Sequence, residues 1–471
     1  MRDGKRKKAP NLLFVMTDQQ RFDTLSVNGA PICRTPNLDR LASKGANFTR
    51  AFTNAPLCSP ARGVMMTGRY PHSNGLTANT HYSETPTPGL KSGEVMISEI
   101  LAEAGYRCGY IGKWHLSFDQ SVQRGFSEWD VTHRSYGAYL QQRGVDPGIP
   151  GEASHRTLRV ENAPLCGTSP LSEDDFRDVF IIRKATEVLK MYHERRPFAL
   201  WCSIPGPHFP LEIPEPYASL YDPASVPENP SFDDPIINKP KGQKTHSWLQ
   251  LGAHLDWSAW QRVIAHYWGY VTLLDKHIGV LLDTLEELDM ASDTLIVFLS
   301  DHGEMAGSHH MFDKGPFMYE DVMHIPMILS YPGVIPESRT VSDAFVSHLD
   351  IAPTILDYLG QPIPENVQGK SLRPVIEGQT SADRDCVFAE CSAGDIPNRQ
   401  ENVRMIRTAR WKYCYRPDDD MDELYDLDSD PYEMCNRIDD AGCLPVIRDL
   451  RSRFAEWMRS TRDSLPPPAL Q

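Results

Sequence analysis

Short apolar runs alternate with amphipathic helical patterns along most of the chain. Each run is rich in Val, Ile, Leu or Phe and is bounded by polar or turn residues, which is typical of buried strands. The runs are residues 11–17, 107–112, 198–204, 294–300 and 325–331. Helical spacing covers residues 171–195, with Ser172 as the predicted N-cap, and also about residues 260–288. This alternation predicts an α/β fold with a largely parallel sheet.

Two segments depart from the alternation. Residues 205–244 are rich in proline and weakly periodic, which predicts a long surface loop that serves function or acts as a lid. Near residues 374–381 the pattern changes to short strands followed by a final helix. We therefore predict a catalytic α/β domain over residues 1–375 and a smaller α+β subdomain over residues 376–471.

Composition excludes several classes of protein. The 471 residues are enough for one large core and a smaller domain, and the net charge of -15 argues against general nucleic-acid binding. No apolar run is long enough to span a bilayer, so we expect no membrane partner. The basic residues 1–8 are interpreted as a solvated tail, and the scattered cysteines fit a reducing compartment. These features predict a cytoplasmic protein, and a homo-oligomer is left open.

Polar side chains follow four of the apolar runs, where the predicted strands end. Ligands collect at the carboxyl ends of strands in open α/β sheets, so we expect these side chains to converge. In chain order they are Asp18 and Gln19, then Lys113 and His115, then His208, and finally Asp301 and His302.

This set predicts a metal site next to an anion site. Oxygen atoms of Asp18, Gln19 and Asp301 suit a hard divalent cation, and His302 admits Mn²⁺ or Zn²⁺. Each of these four residues, taken singly, is also typical of a turn or a helix cap, but the four together favour a metal site. Positive charge for a bound anion would come from Lys113, His115 and Lys314. Three tryptophans fit the lining of a substrate pocket and core packing equally well: Trp248, Trp257 and Trp260.

Cys58 lies in the sequence C-S-P-A-R, just before a segment that can begin a helix. From these residues alone, three interpretations of Cys58 stay open. Cys58 is a buried core residue, or a thiolate nucleophile at a helix N-terminus helped by Arg62, or a precursor of another group. The gap between Cys58 and Arg62 is too short for the phosphate-wrapping loop of a cysteine phosphatase.

Three stretches resemble one known family. C-S-P-A-R at residues 58–62, followed by T-G-R at residues 67–69, resembles the signature of the type I, formylglycine-dependent sulfatases of the alkaline phosphatase superfamily. Residues 105–116 resemble the second signature, and residues 422–436 resemble the usual C-terminal strand and turn. The resemblance implies an alkaline-phosphatase-like sandwich with a large mixed, mostly parallel sheet flanked by helices. It also implies a small C-terminal α+β subdomain with an antiparallel sheet.

The resemblance implies hydrolysis of a small-molecule or saccharide sulfate monoester to an alcohol and inorganic sulfate. Cys58 would be oxidised to Cα-formylglycine by a maturation enzyme, and its hydrated aldehyde would attack sulfur. The matching metal ligands are Asp18, Gln19, Asp301, His302 and residue 58, with Ca²⁺ as the expected ion and Mn²⁺ as the alternative.

The same resemblance assigns a role to each charged residue. Arg62 would favour ionisation of the nucleophilic hydroxyl, and Lys113 and Lys314 would bind the sulfuryl oxygens. His208 would protonate the leaving oxygen, and His115 would take a proton from the second hydroxyl of residue 58.

Other functions stay open at this point. Gln19 and His302 resemble the phosphonate monoester hydrolase branch of the superfamily, which suggests phosphonate monoester or phosphodiester hydrolysis. A phosphodiesterase with two zinc ions would recruit His348 and Asp350. A catalytically silent, glycan-binding homologue is the alternative outside enzymes.

Overall fold

The structure is a computed structural model that describes most of the chain. The described residues are 9–80, 89–117, 123–131, 133–146, 157–160, 163–194, 197–379, 384–392 and 401–469. The basic stretch at residues 1–8 lies outside them.

Helices and strands alternate as predicted. The described α-helices are α1 (Pro36–Ser43), α2 (Cys58–Thr67), α3 (Pro71–Asn74), α4 (Ile97–Glu103), α5 (His133–Arg143), α6 (Arg177–Tyr192), α7 (Lys241–Lys244), α8 (Ser247–Gly252), α9 (Trp257–Glu287), α10 (Glu320–Met323), α11 (Ile351–Tyr358), α12 (Arg373–Ile376) and α13 (Leu444–Thr461). The described strands are β1 (Asn11–Thr17), β2 (Ala46–Phe48), β3 (Ala51–Phe52), β4 (Arg107–Gly112), β5 (Glu128–Asp130), β6 (Leu158–Val160), β7 (Ala163–Thr168), β8 (Phe198–Ile204), β9 (Leu211–Ile213), β10 (Thr294–Ser300), β11 (Met327–Ser330), β12 (Arg339–Val341), β13 (Val346–Ser347), β14 (Cys386–Cys391), β15 (Val403–Thr408), β16 (Trp411–Tyr415) and β17 (Glu423–Asp426).

One large mixed sheet forms the centre of the molecule. Its strand order is β12-β2-β11-β10-β1-β8-β4-β5. Strands β10, β1, β8, β4 and β5 run parallel, whereas β11 runs antiparallel to both of its neighbours. The predicted fold class is therefore confirmed, with residues 325–331 supplying the antiparallel strand.

Helices cover both faces of this sheet, which explains why the central strands are continuous apolar runs. Leu13 and Val15 of β1 pack into a core that includes residues of α6 and α9. Leu12 and Phe14 point to the opposite face, into a core with residues of α4 and α11. Every residue of β1, β8 and β10 is buried.

The predicted start of the first long helix is wrong by one turn. The Ser172 hydroxyl accepts a hydrogen bond from the Asp175 N–H and closes a short 3-10 turn over Glu173–Asp175. Phe176 is extended, so α6 begins at Arg177. The apolar periodicity continues across this break because Phe176 is still buried in the core.

The C-terminal segment forms the predicted antiparallel sheet, β14-β15-β16-β17. Val387 and Met405 of this sheet share a hydrophobic cluster with Phe52 and Leu57 from the N-terminal part. The division of the chain at residues 375 and 376 stays a prediction.

The proline-rich segment 205–244 is more ordered than a plain surface loop. It contains β9, which pairs in parallel with β7, and Tyr217 and Phe232 are buried in the main core. Of the helices in the described ranges, none is both long enough and apolar enough to cross a bilayer.

Gly112 ends β4 immediately before Lys113. Its φ is +107°, and a Cβ built there would lie 1.9 Å from the carbonyl oxygen of Ser203 on β8. We expect Gly112→Ala to lower the free energy of unfolding by about 1–3 kcal/mol because the backbone would be strained and the two strands pushed apart. Urea unfolding followed by fluorescence measures this.

Gly137→Ala is the matched control. Gly137 lies in α5 with no heavy atom within 4 Å of its added Cβ, so alanine should not destabilise the protein. Equal unfolding midpoints for the Gly112→Ala variant and the unmodified protein would contradict the prediction.

Candidate active site

Cys58 is the first residue of α2 and lies at the point where several strands end. Its Sγ is 3.2 Å from His302 Nε2, 3.6 Å from Lys113 Nζ and 3.7 Å from Asp18 Oδ1. The side chain is buried. The sequence predicted this convergence from strand ends, because Asp18, Lys113 and His302 follow β1, β4 and β10.

Arg62 lies one helical turn after Cys58 on α2 and binds both carboxylates of the site. Its Nη2 is 2.7 Å from Asp18 Oδ2, and its Nε donates to Asp301 Oδ2 at 3.0 Å. Its Nη1 donates to the Lys113 carbonyl and to Ser203 Oγ, each at 2.8 Å. All of this guanidinium is buried, and the paired carboxylates raise its pKa against the opposing effect of burial.

Asp18 is ionised in this surrounding. Burial alone would raise its pKa, but Lys113, His208 and Arg62 hold the pKa well below its usual range. Lys113 Nζ lies 2.6 Å from Asp18 Oδ2. Asp301 accepts backbone hydrogen bonds from Gln19 and His302 at Oδ1, both at 3.0 Å.

The donor set fits a divalent cation. Asp18, Cys58, Asp301 and His302 each offer one ligand atom, and these atoms all lie within 4.8 Å of one another. His302 donates its Nδ1–H to the Gly303 carbonyl at 2.9 Å, which leaves Nε2 facing the cluster. Burial alone would lower the pKa of His302, but the nearby Asp301 and Cys58 raise it to about 9. The same negative field attracts a cation to Nε2.

A second cluster with metal-ligand geometry in the described residues consists of His72, Glu390 and Asp463. Arg404 already binds it, with Nε 2.6 Å from Asp463 and 3.5 Å from Glu390. A guanidinium in that position supplies the positive charge, so we do not assign a metal there.

Gln19 and Lys314 are bonded to each other beside the cluster. Lys314 Nζ donates to Gln19 Oε1 at 2.8 Å, and Gln19 Nε2 donates to Glu304. Because Glu304 accepts from the amide nitrogen of Gln19, the amide oxygen of Gln19 faces Lys314. Burial and the nearby Asp313 raise the pKa of Glu304 to about 7.

His208 also contacts Lys314. His208 Nδ1–H donates to the Phe209 carbonyl at 2.7 Å, so Nε2 accepts from Lys314 Nζ at 2.5 Å. Burial and the two cations Lys314 and Lys113 lower the pKa of His208 to about 3, so the ring is neutral. His115 is buried, with a φ of +56° that turns the chain sharply after Lys113.

A cavity of about 660 Å³ opens beside these groups, and we call it the α6 cavity. Lys113, His115 and His208 are among its lining residues, which connects the cavity to the cluster around Cys58. Its walls come from the end of β4, from the start of α6 and the residues before it, and from the loop after β8, with Ile111, Phe176, Phe180, Ile181 and Phe209 among them.

Sequence reasoning missed three residues of the site. Ser203 accepts from Arg62 and donates to the Lys113 carbonyl, Tyr110 donates to the same carbonyl, and Glu304 holds Gln19. Ser203 and Tyr110 are hidden inside strand patterns. Glu304 follows Asp301-His302-Gly303 directly, and this run of polar residues after a strand was the available signal.

Several candidates lie elsewhere. His348 donates from Nε2 to the Ser300 carbonyl. The Asp350 carboxylate accepts two hydrogen bonds from Arg384, at 2.6 and 2.9 Å. In the described part of the chain, neither residue belongs to the cluster around Cys58. Trp260 is fully buried in the core, and Trp248 donates to the Lys314 carbonyl, which identifies packing and support as their roles.

The strand ends of this mixed, mostly parallel sheet gather two carboxylates, an imidazole and several cations around one side chain, an arrangement that suits the hydrolysis of anionic esters. Residues 10–361 match the family model described as Sulfatase. Residues 307–460 match the model described as N-sulphoglucosamine sulphohydrolase, C-terminal. The chain therefore belongs to the sulfatase family, whose members are sulfuric ester hydrolases. The predicted family and class of enzyme are confirmed.

Relatives cover nearly the whole chain. The N-acetylglucosamine-6-O-sulfatase of Bacteroides thetaiotaomicron is 28% identical over 98% of this chain and 88% of its own length. The arylsulfatase of Clostridium perfringens is 28% identical, covering 91% of this chain and 90% of its own. The solved phosphonate monoester hydrolase from Silicibacter pomeroyi is 25% identical with a TM-score of 0.83, covering 97% of this chain and 96% of its own.

Replacing Arg62 tests the site geometry. Arg62→Lys keeps the charge but cannot reach both carboxylates and the two other acceptors. We expect kcat/KM for sulfate ester hydrolysis to fall by about a hundredfold or more, because Asp18 and Asp301 would shift relative to residue 58.

Arg410→Lys is the control, since Arg410 lies between β15 and β16 and pairs with Asp426 away from the cluster. Its kcat/KM should stay within about twofold of the unmodified protein. Equal activities of the Arg62→Lys and Arg410→Lys variants would contradict the assigned geometry.

Proposed function

We propose that the protein hydrolyses a sulfate monoester to an alcohol and inorganic sulfate, using residue 58 as the nucleophile after its conversion to formylglycine. The observation that carries the proposal is the position of Cys58 Sγ, between Lys113 Nζ at 3.6 Å and His302 Nε2 at 3.2 Å. An oxygen in this place would face an anion held by cations and a metal.

The metal is proposed to be one divalent ion held by Asp18, Asp301, His302 and residue 58, with Gln19 beside them. When bound, it would lower the pKa of the nucleophilic hydroxyl and offset charge on the ester. The oxygen atoms of Asp18, Asp301 and a converted residue 58 support Ca²⁺, and the nitrogen of His302 makes Mn²⁺ the alternative.

Formylglycine would supply a hydrated aldehyde oxygen in place of a thiol. The C-S-P-A-R sequence supports a formylglycine-generating maturation enzyme as a partner. Because Cys58 is only 1% exposed, we expect that enzyme to act before the chain has folded.

The charged side chains of the protein position the ester. Lys113 and Lys314 bind the sulfuryl oxygens, a preorganised stabilisation of charge in the transition state. Neutral His208 accepts a hydrogen bond from Lys314 Nζ at Nε2 and so orients the ammonium group. Lys314 then gives one of its protons to the leaving oxygen and becomes a neutral amine. His115 accepts a proton from the second hydroxyl of residue 58.

A phosphonate monoester or phosphodiester hydrolase is the second candidate. The likeness to the phosphonate monoester hydrolase from Silicibacter pomeroyi supports it, as does the pair Gln19 and His302. Lys113 and His115, which resemble the sulfatase pattern, support sulfate as the preferred ester. A silent glycan-binding role fits poorly, because the full set of charged groups is present in the site.

Three esters with the same leaving group decide between the candidates. The protein, co-produced with a maturation enzyme, is assayed with para-nitrophenyl sulfate, bis-para-nitrophenyl phosphate and para-nitrophenyl phenylphosphonate. We expect the highest kcat/KM for the sulfate, because Lys113 and Lys314 face a group with three terminal oxygens.

The Cys58→Ala variant is the control for contaminating activity and should hydrolyse none of the three esters. If the sulfate is the poorest of the three substrates, the second candidate replaces the first.

A further inference from the structure

The α6 cavity carries information on the alcohol part of the substrate. Lys113, His115 and His208 are among its lining residues, and Lys113 Nζ is 3.6 Å from Cys58 Sγ, so an ester held by Lys113 has its alcohol part beside the cavity. At about 660 Å³, the cavity has the size of a small-molecule site and accommodates a ring-bearing alcohol.

The walls of the cavity are mainly apolar. Phe180 and Ile181 come from the first turns of α6, Phe176 comes directly before this helix, and Phe209 comes from the loop after β8. The ring of Phe180 lies 5.5 Å from that of Tyr136, which also lines the cavity. Burying apolar ligand surface against such walls is favourable by about 25 cal/mol per Å².

Polar side chains of the lining are already bonded within the protein. Arg177 Nε donates to Asp178 at 3.0 Å, and the Tyr270 hydroxyl donates to the same carboxylate at 2.7 Å. Further bonded pairs are Ser135 with Asp130 at 2.6 Å and the Tyr136 hydroxyl with the Asp175 carbonyl at 2.7 Å. Two charged side chains of the lining are also paired, Lys184 with Glu187 at 3.1 Å and Glu212 with the Thr157 hydroxyl at 3.4 Å.

A saccharide would be poorly matched to this lining. Each sugar hydroxyl that loses water without gaining a partner costs about 1–3 kcal/mol. An apolar ring loses no hydrogen bonds when it enters the same space. The lining therefore discriminates by polarity, in addition to size.

We propose that the α6 cavity selects sulfate esters of apolar, ring-bearing alcohols over those of saccharides. This inference rests on the proposed function. Ile181 is the specificity-determining residue that we assign, because it is half-buried and a Cβ added to Gly112 would lie 3.1 Å from its Cγ2. Its side chain therefore lies beside the end of β4, next to Lys113.

Two primary sulfate esters test the proposal. Cyclohexylmethyl sulfate and glucose sulfated at its primary hydroxyl both carry a six-membered ring and a primary leaving oxygen, and they differ in the polar atoms of the ring, which are the hydroxyls and the ring oxygen of glucose. We expect kcat/KM to favour cyclohexylmethyl sulfate by at least about tenfold. Equal values, or a preference for the glucose ester, would overturn the inference.

Para-nitrophenyl sulfate separates this inference from the proposed function. If it is hydrolysed and the glucose ester is preferred, only the inference fails. If none of the three sulfate esters is hydrolysed, the proposed function fails and the inference fails with it.

A polar substitution in the wall provides the second test. Ile181→Asn should reduce the preference for cyclohexylmethyl sulfate at least about threefold by removing apolar contact. Val188→Asn is the matched control, because Val188 is half-buried on the same helix and does not line the cavity. An Ile181→Asn variant that keeps the full preference would contradict the assignment.

Discussion

The site depends on one buried guanidinium. Arg62 binds Asp18 after β1 and Asp301 after β10, and it also reaches the Lys113 carbonyl after β4 and Ser203 on β8. One side chain thus joins four neighbouring strand ends. Its planar, forked geometry matches two carboxylates at once, which an ammonium group does not. Removing one partner from such a buried group leaves uncompensated charge, at a cost of about 3–5 kcal/mol.

This arrangement also explains the spacing of the C-S-P-A-R sequence. Cys58 and Arg62 are four residues apart on α2, so they lie on the same face, one turn from each other. Arg62 binds the Oδ2 atoms of Asp18 and Asp301, whereas residue 58 and His302 face the Oδ1 atoms of these carboxylates. The cations Lys113 and Lys314 and the neutral His208 then complete a positively charged site beside the residues that could hold a metal ion.

Much of the fold and of the candidate site could be predicted from the sequence. Continuous apolar strands and the polar residues after them indicated the sheet and its ligand edge, and Asp18, Lys113, His208 and Asp301 all lie there. Ser203, Tyr110 and Glu304 were missed because their roles depend on contacts between distant segments. The start of α6 was misplaced because Ser172 caps a separate turn, and helical periodicity alone does not reveal the break at Phe176.

The proposed hydrolysis requires that residue 58 acts as an oxygen nucleophile. Mass spectrometry of the tryptic peptide 51–62, from protein that hydrolyses para-nitrophenyl sulfate, tests this most directly. We predict the mass of the aldehyde or its hydrate in the fraction that carries the activity. An active preparation in which residue 58 is entirely an unmodified thiol would contradict it.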